Sequence, residues 1–207
     1  MKKIFLSTLF LVMMNVKAQQ VFGLKAGLQT TGITKAEVGD NQNQYGFYIG
    51  SFYNLPLHNA FSFQLELFYS FQSFNNVNLT FSEYFGGIEN EQTTQPRFDF
   101  KYKMHLIKFP LLLKYQPRKV YVEVGPELAY LISADGNYHD KLNEIPLQNG
   151  KIENVKHFQV AAVSGVGYQL NNKLDLGLRF SWSFTKFSEA SYIKNFNVAV
   201  GVNYQLN

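Results

Sequence analysis

Four histidines, His58, His105, His139 and His157, are the obvious general bases of this sequence, which has no cysteine. A hydrolase acting on lipid would need one of them oriented beside a nucleophile and a carboxylate, and no Ser/His/carboxylate spacing here is distinctive. His139, Asp140, Glu153 and His157 lie near enough in the chain to gather a metal ion, although such residues scattered through one loop are as a rule solvated. There is no glycine-rich phosphate loop and no cofactor motif. A different set of charges is more ordered: Lys25, Glu66, Lys108, Lys114, Glu123, Glu127, Asp175 and Arg179, four of each sign, each stand between apolar neighbours. Balanced charge in that setting makes buried ion pairs rather than an active centre.

The elements that carry these charges alternate. In LDLGLRFSWSF, residues 174–184, Leu174, Leu176, Leu178, Phe180, Trp182 and Phe184 share one face, and Asp175, Gly177, Arg179, Ser181 and Ser183 the other. That period is a β-strand, whose successive side chains point to opposite sides. The same alternation sets Phe22–Leu28, Tyr45–Leu55, Phe61–Phe71, Ile107–Tyr115, Val120–Ile132, Val160–Leu170 and Phe196–Leu206 as seven more strands, with no charge on the bulky face. Short connections at 56–60, 116–119 and 171–173 alternate with longer ones at 31–44, 72–101, 133–157 and 185–195. Tight turns at one end and long loops at the other predict an all-β fold, an eight-stranded antiparallel up-and-down transmembrane β-barrel. With Pro117-Arg118 as a two-residue turn, Leu113 faces Val122, Leu111 faces Val124 and Phe109 faces Pro126, while Lys108 meets Glu127 and Lys114 lies diagonal to Glu123.

Residues 1–18 read as a separate object: Lys2 and Lys3, the apolar run Ile4–Met14, then Val16-Lys17-Ala18, the pattern of a cleaved signal peptide. The barrel domain is then 19–207. Lys2, Lys3 and Lys17 leave with the leader, so 16 basic side chains remain against 15 acidic ones. The isoelectric point near 9.1 belongs largely to the leader, and nucleic-acid binding loses its electrostatic basis. No other apolar run approaches the length of a membrane helix. A mean hydropathy of −0.16 is compatible with a barrel, half of whose strand residues are polar.

Lipid, and not solvent, is expected on the bulky face. A soluble barrel would crowd its polar face with Lys and Glu, whereas here the charges are sparse among Gly, Ala, Ser, Asn and Gln. Gly50 beside Glu66 and Gly165 beside Arg179 would make room in a narrow bore. Tyr53, Phe61, Tyr115, Tyr168 and Tyr204 lie near the tight turns, and Tyr45, Tyr69, Tyr130, Trp182 and Phe196 lie toward the loops. Two aromatic girdles around an aliphatic band are what the two interfaces of a bilayer select. Pro110 and Pro126 fall in adjacent strands, paired with Gly125 and Phe109 in this register, and predict a local bulge that fixes curvature or, as the alternative, a weak point in the wall. Phe98, Phe100, Tyr102 and Met104 have the opposite parity to Ile107–Tyr115, which predicts a bulge near Leu106-Ile107 or a strand twisting above the membrane.

FGLKAGLQ at 22–29, FQLELFYSFQSF at 63–74, LIKFPLLLKYQP at 106–117, YVEVGPELAYLIS at 121–133 and the closing FNVAVGVNYQL resemble the PorT-type, or porin-family, outer-membrane β-barrel proteins. The resemblance spans nearly the whole chain after the leader, and its more specific part is the FPLLLKY and GPELAYL pair. It implies a bacterial outer-membrane location and an eight-stranded barrel without an established activity. Gly201, Tyr204 and Leu206 resemble the C-terminal signal read by barrel-assembly machinery, departing from it in ending on Leu206-Asn207 instead of an aromatic residue.

The expected protein is therefore a monomer in outer-membrane lipid, non-enzymatic, with a plugged, salt-bridged lumen. It needs no cofactor, and its outer loops, 75–99 and 133–157, can meet a protein partner by strand addition. A narrow pore is the alternative class, and an enzyme that modifies outer-membrane lipid is a third.

Overall fold

A computed structural model describes residues 20–34, 40–80, 97–140, 145–151, 156–185 and 194–206. The expected leader lies outside them, as does Glu153. Nine strands follow in order: β1 (Val21–Thr34), β2 (Asp40–Pro56), β3 (Phe61–Thr80), β4 (Arg97–Tyr115), β5 (Val120–Asp140), β6 (Ile145–Lys151), β7 (Phe158–Gln169), β8 (Leu174–Ser183) and β9 (Lys194–Gln205). All but β6 form one closed antiparallel ring in chain order. β5 pairs with both β4 and β7, and the ends of the chain meet where β1 pairs with β9. Among the described residues there is no helix. Closure gives every wall strand two neighbours, which is the condition for a sheet to sit in hydrocarbon without unpaired backbone groups.

The turns explain how the register is held. Asn59, with φ at 55°, takes the left-handed conformation in the β2–β3 turn, a backbone position asparagine tolerates better than most residues. In the β7–β8 turn the Asn171 side-chain oxygen accepts from the amides of Lys173 and Leu174, both at 2.9 Å. Such a side-chain mimic of a backbone turn leaves the next strand free to pair.

Parity runs as the alternation predicts. Leu28, Ile49, Val124, Leu178 and Val200 point out of the barrel, each more than half exposed, while Lys25, Glu66, Glu123 and Asp175 point into the bore and are buried. Four expectations change. The β4–β5 register is displaced by two residues: Leu113 faces Val124, Lys114 faces Glu123 directly and Pro110 faces Glu127. The connection is a longer turn than two residues, and a shift of two keeps every side chain on its face, so the alternation could not detect it. Gly50 lies opposite Phe68, and Glu66 opposite Phe52, while Gly165 does lie opposite Arg179.

The bulge falls on β5. His105 pairs with Ser133 but Leu106 with Leu131, which leaves Ile132 as the extra residue. β4 keeps its alternation, and Met104 and Leu106 are fully buried in the bore. The connections 72–101 and 133–157 also contain strand where loop was expected. β3, β4 and β5 run on past the girdle positions, and β6 pairs with the far end of β5.

Candidate functional site

Among the described residues the bore is where the fold concentrates chemistry, and inward residues from all eight wall strands fill it in layers. Nearest the tight turns, Lys114 lies 3.6 Å from Asp175 and 3.8 Å over the ring of Tyr121. The Tyr121 hydroxyl accepts from Asn203 at 3.2 Å. Above this layer sits a four-charge centre. Glu66 accepts from Lys25 at 2.8 Å and from Arg179 at 2.6 and 3.0 Å, and Gln64 donates to it at 2.6 Å. Arg179 turns its Nε to Glu123 at 2.8 Å, and its Nη2 contacts the same carboxylate. Two cations thus serve two carboxylates, and the planar guanidinium bridges both, a geometry lysine cannot reproduce.

The next layer pairs Lys108 with Glu127 at 2.7 Å, and Ser181 donates to the same oxygen at 3.1 Å. A cavity of about 20 Å³, lined by Gln72, Lys108, Glu127, Gln159 and Asn195 among others, is there, with room for roughly one water. Beyond it Gln29 donates to Ser70 at 2.7 Å and Asn197 to Thr31 at 3.1 Å. Toward the loop end the lining becomes apolar, with Met104, Leu106, Leu131 and Ala134 all buried.

Each sequence-selected charge is therefore inside, but not as one network. Lys25, Glu66, Glu123 and Arg179 come together; Lys108 with Glu127, and Lys114 with Asp175, stand as separate pairs. Lys114 faces Glu123 across the ladder and still takes Asp175 as its ion partner. The aromatic residues selected above all lie on the outward face. Phe61 packs on Tyr115 at 4.7 Å near the tight turns, and Trp182 stands 6.1 Å from Phe180 toward the loops. Gly201, Tyr204 and Leu206 fall on the closing seam, where Tyr204 pairs with both Leu24 and Leu174 and the Leu206 amide donates to Phe22 at 2.9 Å.

Sequence reasoning missed the inward aromatics. Tyr48, Phe52, Phe68 and Tyr121 are buried in the bore. Their signal is present in the inward glycines of neighbouring strands. A side chain at Gly23 would strike Phe52, one at Gly27 or Gly201 would strike Tyr48, and one at Gly167 would strike Tyr121. Small residues on one strand mark large ones across the lumen.

Among the described side chains the histidines do not assemble. His105 is hydrogen-bonded to the Tyr69 hydroxyl at 2.5 Å, and His157 contacts the Leu131 carbonyl at 2.8 Å and stacks on Tyr130. The side chains of His139 and Asp140 lie outside those described, as does Glu153, so the metal reading falls largely there. Among the described residues no group of three potential ligands occurs.

An apolar exterior around an ion-paired bore, closed by eight antiparallel strands, defines a transmembrane β-barrel of the bacterial outer membrane. The chain belongs to the family of the outer membrane protein beta-barrel domain, whose model matches residues 17–189. Comparison with curated proteins gives no match. Among solved structures the chain is similar to Neisserial surface protein A, NspA, at 10% identity and a TM-score of 0.54, covering 91% of this chain and 100% of that one. It is also similar to Ail, the attachment invasion locus protein of Yersinia pestis, solved in complex with the heparin analogue sucrose octasulfate, at 11% identity and a TM-score of 0.49 over 91% and 100%. A third is the outer membrane protease OmpT from Escherichia coli, at 10% identity and 0.44 over 90% and 96%. At such identities the likeness to NspA speaks for the fold alone.

Proposed function

We propose that this protein is a monomeric, non-enzymatic barrel of the PorT type that holds its outer strands and loops above the membrane for a protein partner. In this reading residues 1–18 direct export and are cleaved, and the seam residues Gly201, Tyr204 and Leu206 are read by the barrel-assembly machinery. The ion-paired lumen is structural filling, and the two sets of outward aromatics anchor the wall in lipid. The observation that carries the reading is the continuation of β3, β4 and β5 past the outer aromatic positions, with β6 added to the end of β5. A sheet extended beyond the bilayer offers backbone edges and exposed side chains, through which partners are recruited by strand addition. The filled bore supports a wall without a conducting path, since eight strands enclose space about sufficient for side chains.

The test is a pull-down from outer-membrane extracts with the intact protein and with a variant lacking residues 75–95. Retention of one stoichiometric partner by the intact protein and its loss from the deletion variant is the expected result. A partner held equally by both would refute the role of this region. Lipid extracts that change mass only when the protein is present would instead reveal an enzyme.

A further inference from the structure

We propose that the outward face of β4, at Lys101, Lys103 and His105, binds the phosphate of a phosphorylated glycolipid in the outer leaflet. β4 keeps strict alternation there. Met104 and Leu106 are fully buried in the bore, so His105, Lys103 and Lys101 share the outward face with the lipid-facing Ile107 and Phe109. Long loops mark this end of the barrel as the extracellular one.

Three observations make this face suited to an anion. Neither Lys101 nor Lys103 forms an ion pair among the described residues. Asp135, opposite Lys103, is the one carboxylate on this stretch of wall among the described side chains, against the two lysines. His105 is held in place: its Nδ1 meets the Tyr69 hydroxyl at 2.5 Å, and its ring lies 5.1 Å from that of Phe71. With the hydroxyl as donor, the imidazole keeps a proton on its other nitrogen, which is available to an acceptor.

The height fits as well. Alternate residues of a strand are spaced by about 7 Å, and the polar layer on each side of the hydrocarbon is roughly 5 to 7 Å deep. Tyr69 and His105 stand at the outer aromatic level, so Lys103 reaches headgroup depth and Lys101 lies just above it. Simple lysine snorkelling would solubilise this rim without preference for phosphate. A basic step beside an aromatic anchor instead recognises a headgroup whose acyl chains run down the wall.

Native mass spectrometry of the full chain in detergent, titrated with bisphosphorylated lipid A, with the same lipid dephosphorylated, and with inorganic phosphate, tests the assignment. The intact protein should retain the phosphorylated lipid in preference to the dephosphorylated one. The double variant Lys101→Gln/Lys103→Gln should bind it about tenfold or more weakly, whereas Lys101→Arg/Lys103→Arg should keep it. Heat-modifiable migration on gels verifies that each variant is folded. Equal affinity of the glutamine variant, equal binding of the dephosphorylated lipid, or displacement of the lipid by millimolar inorganic phosphate would each overturn the proposal.

Discussion

Arg179 is the side chain on which the bore depends most. Among the described side chains it alone touches both Glu66 and Glu123, and without it Glu66 keeps Lys25 while Glu123 loses the ion partner it has here. Arg179→Leu is expected to lower stability by about 3 to 5 kcal/mol, the usual cost of leaving buried charge unpaired. Urea unfolding in detergent micelles, followed by tryptophan emission, would measure it, and an unchanged midpoint would refute the structural role of the centre. Removing both members of the Lys108–Glu127 pair should cost far less, since replacing a whole buried pair with apolar side chains is often close to neutral. The same unfolding measurement on Lys108→Met/Glu127→Leu checks this contrast. Gly201→Val is a third kind of change: Tyr48 and the Ala26 carbonyl occupy the space of the new side chain, and overpacking of this sort typically costs about 1 to 3 kcal/mol. At this scale the sequence was legible in part. Charges between apolar neighbours announced themselves, but Tyr48 and Tyr121 read as ordinary strand residues, because their role depends on glycines of other strands.

Among the elements, β4 is the weak one. Its ladder to β5 has no pairs between Pro110 and Leu113, and its ladder to β3 has none between Lys108 and Leu111. Proline lacks the amide such a ladder needs, and Pro126 on β5 removes a second donor opposite the same stretch. Amides of Leu111, Leu112 and Gly125 should therefore exchange faster than those at the middle of β8, measured by deuterium uptake in micelles; uptake as slow as in β8 would mean that the gap is bridged. The bulge at Ile132 belongs to the same scale. It turns the outer half of β5 over, so that Ala134 and Gly136 face inward. The opposite parity of Phe98–Met104 and Ile107–Tyr115 reads as a bulge in β4, whereas β4 keeps its alternation and the register shift is taken up on β5. Two apolar residues in the bore look, in sequence, like a strand that has flipped.

For the whole molecule, closure is decisive. β1 and β9 are far apart in the chain and pair over most of their length. Deletion of 194–207 would leave β1 and β8 with open edges, which hydrocarbon does not tolerate. Such a truncation is expected to lose heat-modifiable migration entirely, and a folded band would contradict the closed ring. The intact barrel should give no conductance steps in planar bilayers, because Tyr121, the ion pairs and the apolar ring at Met104 and Leu106 fill successive layers. Regular single-channel steps would favour the pore.

The number of wall strands, the outward side and the inventory of interior charges were determined by the sequence alone, because alternation is local and each residue declares its face through its immediate neighbours. Which charges meet was decided only by the tertiary structure. Arg179 finds Glu66 across 113 positions and Lys25 finds it across 41, and a register shift of two residues changes such partners without moving any side chain to the other face. Lys114 shows the consequence: the strand pattern sets it near Glu123, and the closed cylinder gives it to Asp175.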